Sequence, residues 1–193
     1  TDTYSAIAGA VGSLKGPLHG GANAKVMEMF RYVKENVNPK DDGSIRDYLA
    51  KLLNKEAGDH SGKIYGLGHA VYTISDPRAV LLKKYAKHMA EIKGYAEDFQ
   101  LLEKIEEMGI PMIQAKTGSE IPMCANVDMY SGLVYRMLGI PDELFTPLFA
   151  SARMVGWAAH RMEELLTGKR IIRPAYKPIT KVKPYIPLCD RKD

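Results

Sequence analysis

The stretch GPLHGGANAKVMEMF, residues 16–30, places a glycine-rich turn directly in front of an amphipathic helix. From about Ala22 onward the apolar positions follow the 3.6-residue period of an α-helix. These positions are Val26, Met29, Phe30 and Val33. His19 lies just before the N-terminus of this helix. The unpaired N–H groups there carry a partial positive charge, which favours a neutral imidazole ring. A neutral ring can donate a hydrogen bond to a carbonyl oxygen. A capping histidine beside a tight turn is the alternative, and this stretch alone leaves both open.

The same periodicity extends over most of the chain and predicts an all-α fold. The predicted helices span residues 3–14, 21–36, 44–56, 77–93, 96–108, 125–138 and 147–166. Ser44 and Asp47 resemble a capping box for the third helix, and Asp76 is the predicted N-cap of the fourth. Residues 109–111, Gly-Ile-Pro, predict the end of the fifth helix. The β-prone segment KIYGLGHAVYTI, residues 63–74, predicts a short hairpin or an extended loop, and the tail from Arg170 is expected to be extended.

Composition limits the classes of protein to consider. The 193 residues are 46% hydrophobic and 26% charged with a net charge of +4, which is typical of a globular protein and suits anionic small molecules. Without a long basic stripe or a membrane-length apolar run, we expect neither nucleic-acid nor membrane binding. Cys124 and Cys189, far apart in sequence, form no metal motif, which fits a reducing cytoplasm. The opening residues already follow a helical pattern, so we expect the chain to be part of something longer.

Four polar or charged residues stand next to glycines or within apolar stretches of the sequence. His69 follows GLG, which is not a dinucleotide fingerprint, and Arg78 stands in the first turn of a predicted helix, where an anion would favour it. Asp128 stands in another first turn beside Met129, which suits either plain helix chemistry or a partly desolvated general base. Arg153 lies in an apolar helix without a nearby acidic residue, so it either reaches solvent or meets an anionic ligand.

Four motifs follow one another along the chain: GPLHGGAN, GLGHAVY followed by DPRA, ANVDMYSG and ARMVGWAAHRME. Together they resemble the successive signatures of citrate synthase. The resemblance implies an all-α homodimer of which this chain is the carboxy-terminal half. It implies a large-domain helix in residues 1–19, a small domain in 20–134, and C-terminal large-domain helices with an extended tail in 135–193. The implied partners are oxaloacetate and an acyl-CoA. No metal or other cofactor is implied, because the CoA thioester is a substrate.

The resemblance also assigns catalytic roles. Asp128 takes a proton from the methyl group of the acyl-CoA, while His19 donates a hydrogen bond to the thioester oxygen as the enol forms. His69 polarises the ketone of oxaloacetate and passes it a proton. We expect the isolated chain to be inactive, because the family has a further oxaloacetate-binding histidine upstream of every motif found here.

Three arginines match family residues that bind the carboxylates of oxaloacetate. These are Arg78, Arg153 and Arg173, the last of which reaches into the site of the partner subunit. Contacts with CoA are assigned to the loop residues Lys63, Gly66, Leu67, Gly68 and Ala70, although basic residues common in the family around the second histidine are absent here. The same motifs also serve 2-methylcitrate synthase, which uses propionyl-CoA. A non-catalytic helical fragment that binds CoA or a partner is the alternative outside the enzymes.

Overall fold

A computed structural model describes residues 1–16, 20–168, 171, 173, 175, 177, 179, 181 and 183–191. Across these residues the regular structure is helical, which confirms the all-α prediction. The helices are α1 (Thr3–Leu14), α2 (Ala22–Asn36), α3 (Asp42–Leu53), α4 (Pro77–Lys93), α5 (Ala96–Thr117), α6 (Asp128–Met137) and α7 (Phe145–Thr167). Short 3-10 turns occupy Asp142–Leu144 and Leu188–Asp190.

Helices α2 to α6 share one hydrophobic core, and α6 lies at its centre against α2, α4 and α5. Its largest fully buried side chains include Phe30 of α2, Leu49 of α3, Ile105 of α5 and Tyr130 of α6. Gly132 lets α2 approach α6 closely, because a Cβ atom there would lie 2.4 Å from Met27 Cγ. The position of α6 matters for the site, because Asp128 is its first residue.

Local capping explains why α4 is predicted correctly from the sequence and the start of α3 is not. At α4, an Asp76 side-chain oxygen accepts a hydrogen bond from the backbone N–H of Arg78 at 3.0 Å. At α3 the cap is Asp41, whose side chain accepts from Gly43 N at 2.9 Å, so the predicted start at Ser44 is wrong. The Ser44 hydroxyl instead accepts from Asn38 N at 3.1 Å, in the preceding turn.

Helix α5 continues past the predicted stop at residues 109–111. Gly109 is buried against the loop before α4, where a Cβ atom would lie 2.7 Å from Leu67 Cδ1 and 3.3 Å from Ile64 Cδ1. Pro111 is exposed and lies inside the helix, which ends at Thr117 with Gly118 at a φ of 64°. Packing of α5 against α3 and α4 offsets the cost of an internal proline.

The segment predicted as a hairpin or extended loop forms no strand. Residues 63–76 form a loop. An antiparallel β-bridge joins Leu67 of this loop to Ala125, and it is the one isolated bridge among the described residues. Because Ala125 is held in this bridge, the sixth helix begins at Asp128 rather than at residue 125. The loop is therefore tied to the chain just before α6.

Helices α1 and α7 pack against each other at the edge of the core. Their apolar side chains are largely open to solvent: in α7, 23 residues long, Phe145 alone is buried. Exposed apolar residues on the pair include Val11, Met154, Val155, Met162, Leu165 and Leu166. An apolar helix of this kind needs cover on more than one side.

Candidate functional site

The site is built where the loop before α4 meets the chain that enters α6. Gly68 N donates to Cys124 O at 2.8 Å, and Asn126 N donates to Gly66 O at 2.9 Å. These two bonds flank the Leu67–Ala125 bridge and hold the loop antiparallel to the chain before α6. His69, the next residue of the loop, is consequently held near the start of α6.

Gly66 and Gly68 are required by backbone conformation. Their φ angles are +88° and +87°, a region that residues with a Cβ atom rarely adopt. At Gly66 a Cβ atom would also lie 2.7 Å from Met129 Sδ and 3.0 Å from Met129 Cα. The loop backbone therefore lies directly against the first turn of α6.

The hydrogen bonds of His69 determine which ring nitrogen carries the proton in the neutral form. Nδ1 accepts hydrogen bonds from the backbone N–H groups of Val71 and Tyr72, both at 3.0 Å. A neutral imidazole that accepts at Nδ1 carries its hydrogen on Nε2. The half-buried ring also packs against the Tyr72 ring, with 4.9 Å between the centroids. His69 is thus oriented as an Nε2–H donor.

Arg78 is held by a buried carboxylate. Its Nε and Nη2 atoms donate to the two oxygens of Asp76 at 3.0 and 2.8 Å, and the Asp76 side chain has no exposed surface. The hydrogen bond from Arg78 lowers the pKa of Asp76 despite its burial. The same bond raises the pKa of Arg78, to which the negative charge of Asp128 also contributes. The guanidinium is a fixed cation that remains half-exposed.

The His69 ring and the Arg78 guanidinium meet with their donors side by side. Arg78 Nη2 lies 3.4 Å from His69 Nε2. Because Nδ1 already accepts two hydrogen bonds, Nε2 is the donor in the neutral ring, and arginine has donors alone. Two donors so close together match one substrate that presents several oxygens, such as a carboxylate beside a carbonyl group.

Asp128 is the first residue of α6 and lies beside the loop. Its backbone N–H donates to the Asn126 side-chain oxygen at 3.0 Å, and the residue is half-buried. It borders an open cavity of about 470 Å³, large enough for a substantial part of a small-molecule ligand. Among the residues that line this cavity are Lys63, Gly66, Leu67, Lys116, Met123 and Asn126.

The structure brings some of the predicted residues together and separates others. His69 and Arg78 touch, while Asp128 shares a cavity with the loop residues Lys63, Gly66 and Leu67. Gly68 pairs with Cys124, and Ala70 is exposed beside His69, with neither residue lining that cavity.

Of the three other predicted residues, the structure describes Arg153 and Arg173. His19 lies outside the described residues. Arg153 is exposed on α7, with its guanidinium 5.0 Å from the centre of the Phe149 ring, so in this chain it reaches solvent. Arg173 is exposed in the C-terminal tail.

Sequence reasoning assigned no role in the site to Asn126 or Lys116 and treated Asp76 as a helix cap alone. Lys116 donates to the carbonyl of Leu53 and, at 3.1 Å, to Asn54 Oδ1, and it lines the same cavity as Asp128. A signal existed for Asp76 and Asn126, because each lies two residues before a predicted site residue. An aspartate or asparagine at that spacing commonly accepts from the later backbone N–H.

The described residues contain no group of three or more His, Cys, Asp and Glu side chains arranged to hold a metal ion. None of the helices in the described part of the chain has the length and apolar character needed to cross a bilayer.

Comparison with known proteins identifies what this arrangement resembles. Residues 1–175 match the family described as citrate synthase, C-terminal domain. The citrate synthase of Synechocystis sp. is 42% identical over 175 residues, covering 90% of this chain and 40% of that protein. The 2-methylcitrate synthase of Shewanella oneidensis is 37% identical over 176 residues, covering 91% of this chain and 41% of that protein. The chain thus spans about two fifths of the length of these curated relatives.

A solved structure has the same fold. It is the citrate synthase of the thermophilic archaeon Thermoplasma acidophilum, in a ternary complex with carboxymethyl coenzyme A and oxaloacetate. It superposes with a TM-score of 0.69 at 32% sequence identity, and the match covers 98% of this chain and 47% of that one.

Proposed function

Because this chain belongs to the citrate synthase family, we propose that the protein condenses acetyl-CoA with oxaloacetate to give citrate and CoA. The observation that carries the proposal is the pair of adjacent donors, His69 Nε2 and Arg78 Nη2, 3.4 Å apart and held close to the loop that borders Asp128. The solved relative that binds both carboxymethyl coenzyme A and oxaloacetate supports the same assignment.

Oxaloacetate is assigned to His69 and Arg78. Arg78 binds a carboxylate with donors that its two bonds to Asp76 leave unused, and the His69 Nε2–H donates to the neighbouring ketone oxygen. Donation to that oxygen stabilises the negative charge that develops there when the ketone carbon is attacked. The two backbone hydrogen bonds at Nδ1 fix the ring orientation before the substrate arrives.

Asp128 is assigned as the general base. Its carboxylate takes a proton from the methyl group of acetyl-CoA, and the resulting enol carbon forms the new bond with the ketone carbon of oxaloacetate. Water then hydrolyses the citryl thioester and releases CoA. Proton transfer to a positioned carboxylate contributes about 10²–10⁴-fold to such a rate. The fully buried neighbours Met129 and Tyr130 limit the water around this end of α6.

The other roles rest on family resemblance. His19 is proposed to donate to the thioester oxygen, and Arg153 and Arg173 to bind oxaloacetate carboxylates in the assembled enzyme. The acyl-CoA is proposed to bind along the loop of Lys63 to Ala70, beside the cavity that Asp128 borders. Cytoplasmic location, and the division at residues 19 and 134 into parts of a large and a small domain, belong to the same proposal.

A homodimer is also proposed. The exposed apolar side chains of α1 and α7 support it, since a continuous apolar surface on a soluble protein usually marks an interface. Arg173 lies in the exposed tail that follows α7, a place from which a residue can reach a partner subunit.

Turnover by the native gene product tests the assignment. CoA release is measured with oxaloacetate and either acetyl-CoA or propionyl-CoA, and we expect acetyl-CoA to give the larger kcat/KM. Asp128→Asn is expected to lower kcat by about 10²-fold or more while oxaloacetate binding, measured by calorimetry, changes little. Asp47→Asn, at an exposed position on α3, is the matched control and is expected to keep full activity.

Each other result has a defined meaning. A preference for propionyl-CoA assigns the protein to 2-methylcitrate synthesis, as in the Shewanella relative. CoA binding without turnover in the native gene product favours the non-catalytic alternative. Unchanged turnover in Asp128→Asn refutes the assignment of the base.

A further inference from the structure

Asn126 is the residue at which the two halves of the site are joined. Its side-chain Nδ2 donates to the carbonyl oxygen of Gly68 at 2.9 Å, directly before His69. Its side-chain Oδ1 accepts from the backbone N–H of Asp128 at 3.0 Å. One planar amide group therefore links the loop that bears one predicted catalytic residue to the helix start that bears the other.

The main chain of Asn126 strengthens the same link. Its backbone N–H donates to Gly66 O at 2.9 Å, and its carbonyl accepts from Met129 N at 3.1 Å. Gly66 leaves no room for adjustment here, because its backbone already lies against the first turn of α6. The side chain of Asn126 is consequently held between two backbone segments whose separation is fixed.

Asparagine has the chemistry that both bonds need. A carboxamide offers a donor and an acceptor at a fixed separation, whereas the isosteric carboxylate of aspartate accepts alone. Aspartate at 126 would face the carbonyl oxygen of Gly68 and add a second negative charge beside Asp128. A serine hydroxyl can still accept from the N–H two residues later, but it is too short to reach Gly68 as well.

We propose that Asn126 is a positioning residue that sets the spacing between the His69 imidazole and the Asp128 carboxylate by hydrogen bonding to the backbone beside each. In this role it acts through the loop and the helix start rather than through contact with a substrate. The inference rests on the proposed condensation reaction, in which the carbon deprotonated by Asp128 must reach the ketone polarised by His69. A displacement of about 1 Å between groups that must meet in this way can cost about 10²-fold in rate.

Asn126→Ser is the sharpest variant, because it keeps the turn at α6 and removes the bond to Gly68. In the native gene product we expect kcat for condensation to fall 10- to 100-fold. The KM for oxaloacetate is expected to change less than about threefold, because Arg78 remains held by Asp76. Asn126→Asp is expected to show the same split with a larger fall in kcat.

Asn38→Asp is the matched control. Asn38 Oδ1 also accepts from a backbone N–H two residues later, that of Lys40 at 3.1 Å, in an exposed turn before α3. Asn38→Asp adds the same negative charge as Asn126→Asp. The Asn38→Asp protein is expected to keep the kcat and KM of the unaltered protein.

A second readout separates this inference from the proposed function. In ¹⁵N NMR spectra of selectively labelled histidine, Asn126→Ser is expected to shift the His69 ring signals, and Asn38→Asp is expected to leave them unchanged. If the unaltered protein catalyses no condensation, the proposed function fails and these signals alone judge the positioning role. The inference is overturned if Asn126→Ser keeps kcat within twofold, leaves the His69 signals in place, or loses activity only in proportion to folded protein measured by circular dichroism.

Discussion

Helices α5 and α7 have nearly the same length, 22 and 23 residues, and very different surroundings. In α5, Phe99, Leu101, Leu102 and Ile105 are buried in the core, whereas in α7 the one buried residue is Phe145. Both helices carry many apolar residues, so what differs is the number of sides on which each is covered. An apolar helical pattern therefore shows that a face needs cover without showing what provides it.

The difference extends to chemistry. The contacts that build the site all lie in the well-covered part: α6 is packed between α2 and α4, and the loop before α4 is hydrogen-bonded to the chain before α6. On α7, Arg153 contacts the ring of Phe149 on an exposed surface. The residues beside the covered core are already oriented by hydrogen bonds, whereas Arg153 and Arg173 lie on exposed surface.

The largest effect is expected from a pair of identical substitutions on these two helices. Leu102 is fully buried in α5, and Leu165 is 60% exposed in α7. Leu102→Ala is expected to lower the free energy of unfolding by about 2–5 kcal/mol, because it removes buried methyl groups and leaves a cavity. Leu165→Ala in the same 193-residue chain is expected to change it by less than about 0.5 kcal/mol.

Urea unfolding followed by circular dichroism at submicromolar concentration measures both variants under conditions that disfavour association. Comparable losses for the two leucines would show that α7 is covered in the isolated chain, and the contrast with α5 would be lost.

A smaller effect is expected at the buried ion pair, with a defined pH dependence. Asp76→Asn keeps the side-chain shape and a capping oxygen but removes a charged acceptor from Arg78, so we expect a loss of about 1–3 kcal/mol at pH 7. The pKa of Asp76 is lowered in the folded protein by the hydrogen bond from Arg78. The stabilisation is therefore present above the ordinary aspartate pKa of about 3.9 and is lost as pH falls through the lower folded value.

The measurement is the difference in unfolding free energy between the unaltered chain and Asp76→Asn at pH 7 and at successive values below pH 4. This difference is expected to shrink on acidification. Asp47→Asn, which alters an exposed carboxylate on α3, serves as the control. A difference that stays constant with pH would mean that the charge of Asp76 contributes nothing to folding.

The parts of the fold that sequence predicts are those decided by neighbouring residues. The limits of α4 follow from Asp76, Pro77 and the left-handed Gly94, all within a few residues of the helix ends. The end of α5 follows from packing instead: Gly109 fits against Leu67, from a distant part of the chain, and the helix continues through Pro111. Tertiary packing therefore overrides the local stop signal at residues 109–111, and hydrophobic periodicity does not reveal such packing.

The site divides in the same way. Motif resemblance selects His69, Arg78 and Asp128, and the structure places the first two in contact and the third beside the same loop. The roles of Asp76 and Asn126 depend on side-chain geometry, because an Asx-type turn in sequence does not show what the other oxygen or nitrogen binds. The bond from Asn126 to Gly68 spans two segments that are remote along the chain and adjacent in space.

The smallest expected effect is a gain, and it tests the exposed face directly. Gly9 lies in α1, where an added Cβ atom would meet nothing within 4 Å. In an open helix Gly9→Ala is expected to stabilise the chain by about 0.5–1 kcal/mol, because alanine loses less backbone entropy on folding than glycine does.

Sedimentation of both proteins at micromolar concentration shows whether species larger than the 21.4 kDa chain form and whether the methyl group alters their population. If a second copy packs on α1, the added methyl group meets that copy. Gly9→Ala should then stabilise the chain at low concentration and weaken its association at high concentration. An equal gain at every concentration would show that no second copy closes on α1, and α7 with the C-terminal tail would then be the part of the surface to examine.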